Sequence, residues 1–171
     1  MNAPSFRRRN SLRAPEHDYR SPGAYFITIC VAGREPVLSR VKDHRIALSI
    51  LGSLVKQEWM ALPDRFPGVM VDALVVMPDH LHGILWLHDA ERLRLPTPLW
   101  GLSSGSLGVM VGQFKSRVTK AGITSGLWQR GRRLWQRGYH DRMLRSVDAV
   151  ARARRYIVMN PIRWERDHEG V

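Results

Sequence analysis

Two apolar runs stand almost end to end in the middle of the chain. VMVDALVVM covers residues 69–77 and HLHGILWL covers 80–87, with only Pro78-Asp79 between them. β-Branched and large apolar residues favour buried, pleated backbone, and Pro-Asp is turn chemistry. So short a connection joins only antiparallel neighbours. The chain is therefore predicted to carry a buried antiparallel pair, around which the other elements must be placed.

The flanking segments supply them. YFITICV, within 25–31, reads as a further buried strand that ends at Gly33 to Pro36. Ile46, Leu48, Ile50, Leu51, Leu54, Val55 and Met60 recur at helical spacing and predict a helix over 44–60. Residues 88–105, rich in Pro, Gly and Ser, read as a loop, and LGVMVGQFKSRVTK (107–120) as a second helix with a basic far end. Residues 121–138 are Gly-rich and contain WQRG twice, too short a repeat to define an architecture. A short strand over 139–145 and a helix over 147–160 follow, the latter capped by Asp148 and closed by Pro161. The order is β-α-β-β-α-β-α. It predicts an α+β fold: a ferredoxin-like βαββαβ antiparallel sheet with helices on one face, plus a C-terminal helix.

Charge narrows the function. Lys+Arg is 27 against 15 Asp+Glu, a net +12, and 23 of the 27 are arginine. Residues 1–20 hold five bases against two acids, 21–111 eight against eight, and 112–171 fourteen against five. A neutral centre with basic ends points to a polyanion, most simply nucleic acid; a solubilising surface is the alternative. RRRNSLR lies in a basic arm over residues 1–22. No apolar run is long enough for a membrane span and no signal peptide precedes the arm. Cys30 is the only cysteine, which excludes an intramolecular disulfide and a multi-thiolate zinc site and fits a reducing cytoplasm.

Three groups of residues could do chemistry. On a strand, His80 and His82 point to one face, about 7 Å apart along the backbone, and can converge on one cation. Two imidazoles with oxygen ligands leave open positions suited to a substrate phosphate; two ordinary polar residues at a strand start are the alternative. Tyr156 and Asn160 share a helix face, with Arg152 one turn before and Arg155 adjoining. Guanidinium groups beside a phenol can neutralise a phosphate, though a half-buried tyrosine among snorkelling arginines would look the same. The core stripe of this helix is expected at Val147, Val150 and Ile157. Tyr139 competes with Tyr156 as a nucleophile. Trp128 and Trp135 could stack on bases or pack inside. His44, His88 and His168 read as surface residues and Cys30 as core. The phosphate-loop, dinucleotide and serine-hydrolase motifs are missing.

Five blocks in order now carry a resemblance: RNSLRAPEHDYRSPGAYFITICVAGRE, VDALVVMPDHLHGIL, LGVMVGQFKSRVTK, LWQRGYHDRMLR and RRYIVMNPIRW. From about Arg9 to Asp167 the chain resembles the REP-associated tyrosine transposases, a branch of the single-tyrosine HUH transposases related to small insertion-sequence elements. The resemblance implies a basic arm (1–22), one HUH transposase-like domain (23–167) and a tail (168–171). It implies that His80 and His82 are metal ligands with Asn160 as the third, and that Tyr156 is the nucleophile. The metal would be Mg²⁺ or Mn²⁺, with no other cofactor. The activity would be cleavage and rejoining of single-stranded DNA beside palindromic hairpins through a 5′-phosphotyrosine link. Arg7, Arg8, Arg9, Arg13, Lys115, Arg152 and Arg155 are the expected DNA contacts. Hairpin or single-stranded DNA is the expected partner, in a cytoplasmic, nucleoid-associated protein that is a monomer or a homodimer. Asp79 replaces the family's usual Asn or Glu, and His140-Asp141-Arg142 replaces an aromatic-Glu-His. Two rivals stay open: a non-catalytic binder of hairpin or single-stranded nucleic acid, and a metal-dependent phosphodiesterase that uses water.

Overall fold

The computed structural model describes residues 22–88 and 107–168. Arg7, Arg8, Arg9 and Arg13, nearly all of the expected loop over 88–105 and most of the tail lie outside the described residues. The elements are β1 (Gly23–Cys30), a single 3-10 turn (Ala32–Arg34), β2 (Ser39–Lys42), β3 (Arg45–Leu48), α1 (Ile50–Met60), α2 (Leu62–Arg65), β4 (Val69–Val76), β5 (His80–Leu87), α3 (Leu107–Thr124), β6 (His140–Leu144) and α4 (Val147–His168).

β4 and β5 pair antiparallel across Pro78-Asp79, as the two apolar runs require. β1 pairs antiparallel with β5 on one side and with β6 on the other. The sheet order is β4-β5-β1-β6, which is the ferredoxin-like arrangement once β2 and β3 are set aside.

Strand alternation divides the core in two. Tyr25, Ile27 and Ile29 of β1, with Leu81, Leu85 and Leu87 of β5, pack against Leu51, Val55 and Trp59 of α1 and Met110, Phe114 and Val118 of α3. Gly83 makes room for this layer, because a Cβ there would lie 2.3 Å from the Trp59 ring. On the other face Ala24, Val75, Ile84 and Leu144 meet Val150, Ala153 and Ile157 of α4. Among the described residues α4 is the helix that crosses the face to which His80 and His82 point, and Val41 and Ile46 of the β2–β3 hairpin pack against the same core.

Several expectations are corrected. The helix over 44–60 starts only at Ile50, and residues 39–48 form a two-stranded hairpin instead. Asp43 and His44 both take left-handed backbone (φ 50° and 61°), the geometry of a tight hairpin turn. Ile46 and Leu48 therefore alternate rather than spiral. Ser49 then caps α1, its hydroxyl accepting from the Gly52 N–H at 2.9 Å. Pro161 does not close the last helix, which runs on to His168. Proline removes one intrahelical bond, but Pro161 is buried and the turns beyond it are anchored by Trp164 and by a 2.6 Å contact from Glu165 to His44. Ser146, not Asp148, caps α4 by accepting from the Ala149 N–H. Val147 is 86% exposed and lies outside the core, whereas Val150 and Ile157 are inside it. Trp128 and Trp135 are both buried, and their indoles donate to the Arg132 and Lys115 carbonyls. They pack rather than stack on bases.

Candidate active site

His80 and His82 sit on β5 opposite Cys30 and Thr28 of β1. Leu81 between them is fully buried on the other face, which fixes the strand rotation and aims both imidazoles toward α4. Their Nε2 atoms lie 3.1 Å apart. The Nδ1 atoms face away and are each engaged. Asp79 Oδ1 is 2.5 Å from His80 Nδ1, and Thr28 Oγ1 is 2.8 Å from His82 Nδ1. A carboxylate only accepts, so His80 Nδ1–H is the donor and its Nε2 carries the lone pair. With Thr28 accepting from His82 Nδ1–H, the second lone pair is directed at the same point.

The electrostatics favour a neutral ring at His82. Burial first, and then the neighbouring His80 and Arg34, hold the His82 imidazole down to about 3, so it is uncharged at neutral pH. Arg34 Nε pairs with the other oxygen of Asp79 at 3.1 Å, closing a chain from Arg34 through Asp79 to His80. Arg34 itself takes left-handed backbone, φ 58°, to reach this position.

Tyr156 projects from α4 onto these rings. It meets His82 edge-on with ring centroids 5.3 Å apart and Phe26 at 5.8 Å. The Arg163 guanidinium stands 5.0 Å from the Tyr156 ring centroid. Asn160, one turn after Tyr156 and only 6% exposed, lines the same cleft of about 790 Å³ as His80, His82, Tyr156 and Arg163. Trp164 closes one side, 5.9 Å from His80 and stacked on His168 at 4.0 Å.

Two nitrogens held at right angles on one divalent ion, each at about 2.1 Å, are about 3 Å apart. The histidine pair has that spacing, and a cation would satisfy both lone pairs at once. Among the described residues no cluster of three or more His, Cys, Asp or Glu could hold an ion. A third protein donor would be the Asn160 amide.

The structure therefore brings His80, His82, Asn160 and Tyr156 into one cleft. Arg152 lines an adjoining cleft on the other side of Tyr156, while Arg155 is exposed and lines neither. Lys115 is half-buried on α3, its ammonium donating to the Gln136 and Gly138 carbonyls at 2.7 and 2.6 Å. Tyr139 packs against the α1/α3 layer, away from the histidines. Sequence reasoning missed four contributors. Thr28 and Asp79 orient the imidazoles, Arg34 holds Asp79, and Arg163 covers the tyrosine. Only Arg163 carried a local signal, seven residues after Tyr156 and so on the same helix face. Reading Pro161 as the helix end concealed it.

Such a sheet, with a histidine pair on one strand and a tyrosine on the helix crossing it, defines an α+β protein whose site faces a single helix. The chain belongs to one family with an uncharacterized protein of Haemophilus influenzae, to which it is 35% identical over 171 residues, covering 93% of this chain and 91% of that protein. No protein-family model matches the sequence. Among solved structures the chain is similar in fold to a REP-associated tyrosine transposase bound to a REP hairpin, with a TM-score of 0.61 at 18% identity over 88% of this chain and 74% of that one. Among the described residues no helix is long and apolar enough to cross a membrane.

Proposed function

We propose that the chain is a transposase-type single-strand endonuclease that cleaves and rejoins DNA beside palindromic hairpins. The observation that carries this reading is the meeting of two elements. The His80 and His82 Nε2 atoms, 3.1 Å apart, converge in the cleft that Tyr156 and Asn160 enter from α4. A hydrolytic site would not need a phenol against its metal-binding rings. The transposase of similar fold was solved with a REP hairpin, and the net charge of +12 suits a DNA partner.

His80, His82 and Asn160 would hold Mg²⁺ or Mn²⁺, which when bound polarises the scissile phosphate and steadies charge on its oxygens. Tyr156 supplies the nucleophile. Its phenolic oxygen bonds to phosphorus as it gives up its proton, and the 3′-oxygen leaves and takes a proton to become a 3′-hydroxyl. The 5′-phosphate stays on the protein. The phosphodiester bond energy is kept in that link, so an incoming 3′-hydroxyl can reverse the step. Arg163 and Arg152, on either side of the phenol, are placed to neutralise the phosphate. Arg155, Lys115 and the arm residues Arg7, Arg8, Arg9 and Arg13 would contact the flanking backbone. The domain spans residues 23–167 in this reading, with 1–22 as its arm.

The test is covalent capture. Incubated with Mn²⁺ and a hairpin carrying a single-stranded flank, the wild-type chain should give a denaturation-resistant protein–DNA band. Tyr156→Phe should bind the hairpin equally well and give none. Cleavage without an adduct would move the reading to hydrolysis by water, and binding without cleavage would move it to a non-catalytic binder.

A further inference from the structure

Tyr156 stands between two clefts, and only one contains the full set of donors described above. The other, of about 530 Å³, opens toward β6. Phe26 and Ala153 give it an apolar side, and its polar lining is Thr28, His82, His140, Asp141 and Tyr156 together with two guanidinium groups, Arg142 of β6 and Arg152 of α4, which outnumber the one carboxylate. Both are exposed arginines, and neither forms an ion pair with a described residue. That sets them apart from Arg34, Arg117, Arg132 and Arg154, each of which spends its charge on a carboxylate.

The fold produces this arrangement locally. β6 pairs with β1 so that Arg142 lies opposite Phe26. Arg152 lies one turn before Tyr156 on α4, and Ala153 next to it packs with Phe26 and lines the same cleft. The Phe26 ring is only partly buried although it touches His82 and Tyr156. An aromatic side with two unpaired guanidinium groups suits a ligand with one planar apolar part and one anionic part. Bare phosphate would leave the apolar side unused, and an apolar ligand would leave both charges unused.

We propose that this second cleft is a nucleotide subsite: a base lies over Phe26 and Ala153 while Arg142 and Arg152 hold its phosphate. A strand attacked at Tyr156 must leave the tyrosine in two directions, and the cleft gives one neighbouring nucleotide a fixed place. The subsite rests on the single-stranded DNA reading but not on cleavage.

The experiment is titration of the metal-free full chain, in EDTA, followed by NMR. The probes are dTMP, dAMP, thymidine and inorganic phosphate. The mononucleotides should shift the Phe26, Thr28 and Ala153 resonances saturably, and phosphate and thymidine should each bind at least about fivefold more weakly, since each lacks one half of the recognition. Arg142→Gln and Arg152→Gln should each weaken dTMP binding by about fivefold or more. Both are surface changes that leave the fold intact. Equal binding of phosphate and dTMP, shifts confined to His80 and Asn160, or arginine variants that bind dTMP like the wild type would overturn the subsite. Nucleotide binding in a chain that forms no covalent adduct would uphold the subsite and remove the cleavage reading, so the two fail separately.

Discussion

Arg154 of α4 forks onto Asp72 of β4, with Nε 2.9 Å from Oδ1 and Nη2 2.7 Å from Oδ2. Asp72 lies in a β-bulge between Val71 and Ala73 and also accepts from the Trp86 indole at 2.8 Å. The bulge offers a carboxylate to the helix two residues before Tyr156. This pair therefore helps to set how the nucleophile's helix lies on the sheet.

The same ion pair gives a pH dependence. The Arg154 hydrogen bond, chiefly, holds the Asp72 carboxyl below its ordinary 3.8, against an opposing effect of burial. A depressed carboxyl contributes stability that is fully present above its unfolded value and is lost as pH falls through the folded one. The difference in urea midpoint between wild type and Asp72→Asn should be constant near neutrality and shrink below about pH 4. A difference that grows on acidification would contradict the assignment. The Arg154 end of the pair is largely exposed and screened by solvent, so the effect is small.

Asp79 acts through His80. Asp79→Ala frees the imidazole to rotate and should weaken Mn²⁺ binding by about 10–100-fold, the usual effect of removing a group that orients a metal ligand. Asp79→Asn keeps an acceptor oxygen and should lose less. Calorimetric Mn²⁺ titration of the folded variants decides this, and equal affinities in all three proteins would remove Asp79 from the site.

Tyr139 tests the nucleophile from the other side. Its ring packs with the α1/α3 layer. Tyr139→Phe should therefore retain the covalent adduct that Tyr156→Phe loses, and peptide mapping of the adduct should find the phosphate on residue 156. A map to residue 139 would overturn the assignment.

Gly83 reports on the support beneath the histidines. A methyl group at this position would press on the Trp59 ring. Gly83→Ala should cost about 1–3 kcal/mol in denaturant unfolding. The cost should fall when the ring is made smaller, so Gly83→Ala combined with Trp59→Phe should destabilise by less than the sum of the two single changes.

The basic arm should appear in the salt dependence. Deleting residues 1–13 removes Arg7, Arg8, Arg9 and Arg13. The slope of log affinity against log salt for a single-stranded flank should flatten by about 0.7 for each phosphate that the arm neutralises. An unchanged slope would take the arm out of the DNA interface.

The sequence by itself determined the parts whose physics is local. The strand pair joined by Pro78-Asp79, the one-face alternation of His80 and His82, and the one-turn spacing of Tyr156 and Asn160 were all legible, because strand and helix periods fix side-chain direction. Local signals failed where distant packing overrode them. Ile46 and Leu48 fit a helix by spacing, yet the left-handed turn at Asp43-His44 and the cap at Ser49 give them to a hairpin. Pro161 reads as a stop, yet burial and the Glu165–His44 pair carry α4 past it and bring Arg163 over Tyr156. The tertiary structure alone decided that α4 crosses the histidine face, that Thr28 and Asp79 orient the two rings, and that Tyr139 lies elsewhere. These facts depend on strand order and register between residues as far apart as Thr28 and His82, a separation that no spacing along the chain encodes.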